Sequence, residues 1–215
     1  MRTLDEIGTS CMTDKAHHAH DFLRVYDQFL TPLRDQPITF LEIGIQNGFS
    51  LKMWREYFVH ERAIICDIDN IPECRQHTPA GCTAYIGDQA DPLFLRGVAA
   101  AHSHGFDVIL DDGSHQSGDQ ITSFGALWPS VKVGGLYIIE DVKCSYHREY
   151  APDPKVNIMH VLKGLADAVN VSGKGEPFGS RERALGGNLN LTDYERTVGE
   201  LHFYGGMCII RKDSV

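Results

Sequence analysis

The chain has 215 residues, 42% hydrophobic and 23% charged, and 20 Lys and Arg against 29 Asp and Glu give a formal net charge of −9. That length supports one sizeable core rather than two independent ones. A surface so acidic, with no Lys/Arg-rich run, argues against nucleic acid or an anionic membrane as a partner, since both would repel it.

A small neutral or cationic ligand is the better match. Met1-Arg2-Thr3-Leu4-Asp5-Glu6 carries acids where a secretory signal needs an apolar stretch, and no window approaches the roughly 18 apolar residues of a membrane helix. The six cysteines (Cys11, Cys66, Cys74, Cys82, Cys144, Cys208) are scattered without a C-x-x-C pair. Reduced thiols in a cytoplasmic setting are expected, not a disulfide framework or a thiolate zinc site.

In chain order, residues 17–34 place Phe22, Val25, Tyr26, Phe29 and Leu30 at helical spacing, which predicts an amphipathic helix within an N-terminal helical segment over 1–36. Residues 38–44 (ITFLEIG) read as a buried parallel strand running into a Gly turn, and 50–58 resume helical spacing. Short apolar runs at 63–67 (AIICD), 83–86 (TAYI), 106–110 (FDVIL) and 136–139 (LYII) predict four further strands. Helices are expected at 91–101 and 120–128 between them, and Gly134-Gly135 is expected to turn the chain into the fifth strand. Strands and helices alternating at this pace mean βαβ units, hence a parallel sheet with helices on both faces. Residues 145–195 are polar and Gly-rich, and are expected to form a lid with a helix near 157–169. The runs 199–204 and 206–211, joined at Gly205-Gly206, predict a closing antiparallel hairpin.

Ligands of such sheets bind outside the carboxyl ends of the strands, so the residues at those ends carry the functional reading. After the first strand, Gly44 and Gly48 permit a tight turn that faces backbone N–H groups towards a ligand. Gln46 breaks the G-x-G-x-x-G pattern, which speaks against an NAD(P)-dependent oxidoreductase. Asp67 ends the second run 23 residues after Gly44, near the spacing of an acid that binds ribose hydroxyls, and Asp69 is an alternative. Asp112, in the string DDGSH, and Glu140-Asp141 follow strands four and five, which this fold places side by side. Three carboxylates at one point repel unless a cation lies between them, and oxygen ligands suit Mg²⁺, Mn²⁺ or Ca²⁺ better than Zn²⁺. His115 lies three residues past Asp112, and histidine is a proton acceptor suited to neutral pH.

The strings LEIGIQNGFSLKMW, YIGDQADPLFL, FDVILDDGSH and GGLYIIEDV resemble the metal-dependent sugar O-methyltransferases of the mycinamicin and macrocin type, over residues 8 to 146. The resemblance implies a Rossmann-like class I methyltransferase fold: a mostly parallel seven-stranded sheet with a C-terminal antiparallel hairpin, in a single domain over 1–215. It implies S-adenosylmethionine as donor, with Thr13, Glu42, Gly44, Ser50, Asp67, Asp88, Gln89 and Asp111 around it. It also implies Mg²⁺ (or Mn²⁺) on Asp112, Glu140 and Asp141, His115 as general base, and Tyr146 beside the acceptor. Thr13-Asp14-Lys15 resembles a segment that closes over the donor in that family. The expected acceptor is a sugar hydroxyl on a glycoside, an oligosaccharide such as a methylated mannoside, or a natural-product deoxysugar. The chain is expected to form a homo-oligomer. A catechol-type O-methyltransferase acting on an aromatic diol and a non-catalytic nucleotide-binding module are the alternatives.

Overall fold

The protein is described by a computed structural model covering residues 2–174, 179–186 and 190–213. Two short helices precede the sheet, α1 (Leu4–Cys11) and α2 (Leu23–Leu30). Thr3 and Glu6 cap α1 reciprocally, each side chain accepting the other's backbone N–H. The helix expected from residue 17 begins only at Leu23. Asp21 takes a left-handed backbone (φ 55°), and the N–H groups of Phe22 and Leu23 donate to the Lys15 carbonyl instead of continuing a helix.

Then follow β1 (Thr39–Ile43), α3 (Phe49–Tyr57), β2 (Ile64–Asp69), β3 (Cys82–Ile86), α4 (Pro92–Ala101), β4 (Phe106–Asp111), α5 (Ser117–Leu127) and β5 (Val131–Ile139). Helices α6 (Ile158–Val169), α7 (Arg181–Gly186) and α8 (Asp193–Thr197) lead to the hairpin β6 (Val198–Tyr204) and β7 (Met207–Lys212). Strand β5 starts before Gly134-Gly135 rather than after it. Its pairing with β4 jumps from Phe106–Val131 to Val108–Leu136, so the two glycines lie in a bulge within the strand.

The seven strands run in the order β3-β2-β1-β4-β5-β7-β6, parallel except for β7, which is antiparallel to both neighbours. Alternate strand residues feed two cores. Phe40, Ile65, Val108, Leu110 and Ile138 pack with α1, α2 and α3, around the fully buried Trp54. Leu41, Ile43, Ile68, Ile109 and Ile139 pack with α4, α5 and α6 on the other face. Register puts Ile43 level with Ile68 and Asp111, and Asp111 level with Ile139, so the loops after β1, β2, β4 and β5 leave one sheet edge side by side.

Of the expected lid, α6 belongs to the covering layer, with Ile158, Leu162, Leu165 and Ala168 buried. Residues 175–178 and 187–189 of that stretch lie outside the described residues. Among the described residues no helix is long and apolar enough to cross a membrane.

Candidate active site

The loops at the carboxyl edge enclose a cavity of about 500 Å³. Its floor is the Gly44 turn. The Gly44 N–H donates to the Ile68 carbonyl (2.8 Å) and the Asp112 N–H to the Ile43 carbonyl (3.0 Å), so the loop after β4 runs against the turn after β1. A Cβ on Gly44 would stand 2.3 Å from the Asp112 carbonyl oxygen, and its φ of 113° is closed to L side chains. Gly113 is required by a different contact: its Cβ would meet Gln89 Oε1 at 1.9 Å.

Gln89, buried in the loop after β3, spans two of these elements. Its Nε2 donates to Asp111 (3.2 Å) and its Oε1 accepts from the Ser114 N–H (2.7 Å). Asp111 is fully buried and also accepts from Ser123. Burial raises its carboxyl above the ordinary range, against those hydrogen bonds. Asp88 is exposed and accepts from the Ala90 N–H (2.8 Å).

Strand β2 continues two residues beyond Asp67, so its terminal acid is Asp69. Asp69 lines the cavity and fixes the Gly44 turn, accepting from the N–H groups of Ile45 (3.0 Å) and Gln46 (3.1 Å) on one oxygen and from Ile71 (2.8 Å) on the other. Asp67 is fully buried inside the sheet, level with Glu42 on β1. Burial and the Glu42 charge hold its carboxyl well above the usual value. Glu42, also fully buried, accepts from Ser50 Oγ (2.8 Å). Burial pushes it up to about 7, against the pull of Lys15.

Beyond β4 and β5 lie Asp112, His115, Glu140 and Asp141. Donor atoms of Asp112, His115 and Asp141 lie within 4.8 Å of one another. His115 Nε2 is 3.6 Å from Asp141 Oδ2, and Lys143 Nζ lies 3.1 Å from the other Asp141 oxygen. His115 and Asp141 are both held in left-handed backbone (φ 58° and 50°), strain of the kind that gathers at functional sites. Glu140 is more enclosed, accepting from Tyr26 and from Lys15 Nζ (2.9 Å). Lys15 itself is 1% exposed and also donates to Asp112, with Glu42 3.6 Å away. Burial would strip its proton, but Asp112, Glu140 and Glu42 outweigh burial and hold the ammonium well above its ordinary value.

This donor set fits a hard divalent cation. Asp112 and Asp141 bring carboxylate oxygens within 4.8 Å of one another, and Glu140, outside that cluster but lining the same cavity, adds a third carboxylate. Each carboxylate oxygen has two lone pairs, so Glu140 can accept from Tyr26 and Lys15 and still face a cation.

Of the residues singled out in the sequence, Thr13, Gly44, Ser50, Asp88, Gln89, Asp112, His115, Glu140 and Asp141 line the cavity. Glu42, Asp67 and Asp111 stand one layer behind it, and Tyr146 is exposed outside its wall. Sequence reasoning gave Lys15 no place among the acids and treated Tyr26 only as core. A lysine in a stretch without periodicity carries no signal that it is buried; the Thr-Asp-Lys triplet was the one available pointer.

An open parallel sheet finished by an antiparallel hairpin, with a glycine turn and acids at the strand ends, defines a class I methyltransferase fold. No protein-family model matches the chain. It is 33% identical to the 8-demethyl-8-alpha-L-rhamnosyl tetracenomycin-C 2'-O-methyltransferase of Streptomyces olivaceus, over 90% of this chain and 50% of that protein. It is 30% identical to the mycinamicin VI 2''-O-methyltransferase of Micromonospora griseorubida, over 97% of this chain and 52% of the relative. The structure of the MycE methyltransferase from the mycinamycin pathway, in complex with Mg, SAH and mycinamycin VI, superposes with a TM-score of 0.83 at 28% identity, covering 99% of this chain and 55% of that one. The chain thus spans about half the length of the relatives it matches. It is a homologue of sugar O-methyltransferases from macrolide and tetracenomycin pathways.

Proposed function

We propose that the chain is an S-adenosylmethionine-dependent, Mg²⁺-dependent O-methyltransferase acting on a sugar hydroxyl. One observation carries this reading: His115 stands beside the acids Asp112 and Asp141 in the lining of a cavity floored by the Gly44 turn. When bound, S-adenosylmethionine supplies an already activated methyl group, and Mg²⁺ on Asp112, Glu140 and Asp141 acidifies and orients the acceptor hydroxyl. The backbone of the Gly44 turn, fixed by Asp69, and the locked side chain of Gln89 form the wall that receives the donor. His115 Nε2 takes the hydroxyl proton as the methyl moves, and Asp141 beside it stabilises the imidazolium that results. Orientation supplies much of the acceleration, because little covalent work is left to the protein.

Deoxysugar glycosides are the first acceptors to test, since the tetracenomycin relatives are named for rhamnosyl hydroxyls. The six free thiols support a reducing, cytoplasmic setting. The experiment is transfer of radiolabelled methyl from S-adenosylmethionine to a panel of rhamnosides, with Mg²⁺ and with EDTA. Metal-dependent labelling of a sugar is the expected result. His115→Ala should lower kcat by about a hundredfold or more with donor affinity preserved. Near-normal turnover would remove His115 from the mechanism, and labelling of catechols but not sugars would overturn the acceptor class.

A further inference from the structure

Lys15 belongs to neither the strand ends nor the helices, yet it lines the cavity and is almost fully enclosed. Its ammonium donates to Asp112 and to Glu140 (2.9 Å) and lies 3.6 Å from Glu42, joining the ends of β1, β4 and β5. Its backbone is as engaged as its side chain. The Lys15 carbonyl accepts from the N–H groups of Phe22 (2.9 Å) and Leu23 (3.1 Å), which starts α2. One turn into α2, Tyr26 donates to the second oxygen of Glu140. The segment around Lys15 forms one wall of the cavity through Met12, Thr13, Asp14 and His20. Wall and helix are therefore both moored to one carboxylate.

A buried ion pair is no stability device in itself, but a buried charge that loses its partner is costly. Lys15 can occupy its slot only if the acids are there, and in the absence of a metal its ammonium is what offsets the repulsion between Asp112 and Glu140. We propose that Lys15 is a positioning residue: it ties the wall over residues 12–20 to Asp112 and Glu140, so that the donor side and the acid side of the site assemble as one unit before any metal arrives. This rests on the methyltransferase reading only for the identity of the donor.

The test uses S-adenosylhomocysteine, whose uncharged sulfur keeps Coulomb effects on the ligand small, titrated calorimetrically in EDTA. Hydrogen exchange over residues 12–20 is measured without ligand. In Lys15→Met, affinity should fall by about tenfold or more, and the wall amides should exchange faster. In Glu140→Gln, which cuts the tie from the acid end, exchange should also quicken. Adding Glu140→Gln to Lys15→Met should cost less affinity than Glu140→Gln costs in the wild type, because only the Tyr26 end of the tie is left to cut. If Lys15→Met does not fold, Glu140→Gln and Tyr26→Phe carry the test by the exchange readout. A Lys15→Met protein that melts earlier but binds and exchanges as the wild type does would overturn the proposal, as would additive losses in the double variant. Wild-type protein that fails to bind S-adenosylhomocysteine, with wall exchange still responding to both substitutions, would sink the methyltransferase reading and leave the tie standing.

Discussion

At the scale of single residues, the Gly44 turn sets the tightest demand. Its φ of 113° and the 2.3 Å approach of a Cβ to the Asp112 carbonyl act together, so no rotamer change relieves either. Gly44→Ala should move the loop after β4 away from the turn and carry Asp112 with it. The expected outcome is loss of donor binding by about a hundredfold, with cation binding weakened as well, since the two loops share this contact. Calorimetry with each ligand separately checks it; an alanine variant that binds both as the wild type does would show that the loops tolerate separation. The acids and His115 were legible in the sequence because strand periodicity locates strand ends, and functional groups of such sheets follow them. Lys15 was not legible. Its partners lie 97 and 125 residues away, and only the closed tertiary structure brings them together. The choice between Asp67 and Asp69 turned on where β2 stops, and strand ends are blurred by a residue or two in any local pattern.

Among the elements, the βα units follow their local signals closely, and the deviations have identifiable physical causes. Helix α4 starts where it should because Asp91 caps it, accepting from the N–H groups of Leu93 (2.8 Å) and Phe94 (3.3 Å), with Pro92 at its first position. Asp91→Ala should cost about 1 kcal/mol, seen as a fall of roughly 2–4 °C in the unfolding temperature. Activity should be unchanged, because Asp91 does not line the cavity. An unaltered unfolding temperature would mean that water serves those two N–H groups as well as the carboxylate does. The N-terminal region departs further from its local signals. Apolar spacing from residue 17 suggested a continuous helix, but the backbone of 13–21 is spent on turns that place Lys15, and tertiary electrostatics prevailed over periodicity there. Strand β5 likewise reaches back past its glycines, because a bulge lets them sit inside a strand without ending it.

For the whole molecule, buried acids dominate the response to pH. Glu42 is raised to about 7 by burial, and Asp67, Asp111 and Glu140 are raised by the same cause. An acid whose folded pKa exceeds its unfolded value binds protons more tightly in the native state, so its contribution to stability falls as pH rises between the two values. For Glu42 that window runs from its ordinary 4.5 to about 7. The slope within it is at most about 1.4 kcal/mol per pH unit for each such proton. Glu195 has the opposite sign: its hydrogen bond from Lys174 lowers it to about 2, so its contribution is present above its ordinary value and lost in strong acid. His102 is lowered by burial, so its contribution grows as pH rises from that lowered value to the ordinary histidine value and is complete above it. Comparing wild type with Glu42→Gln across pH 5 to 7 in EDTA reads Glu42 together with its coupling to Asp67 and Lys15, while His102 and Glu195 are common to both. The wild type should lose stability across this range relative to the variant, read from denaturant midpoints. Parallel curves for the two proteins would mean that Lys15 keeps Glu42 ionised throughout. Mg²⁺ should shrink the difference, because a cation on the neighbouring acids favours the ionised carboxylate and lowers the pH at which it forms.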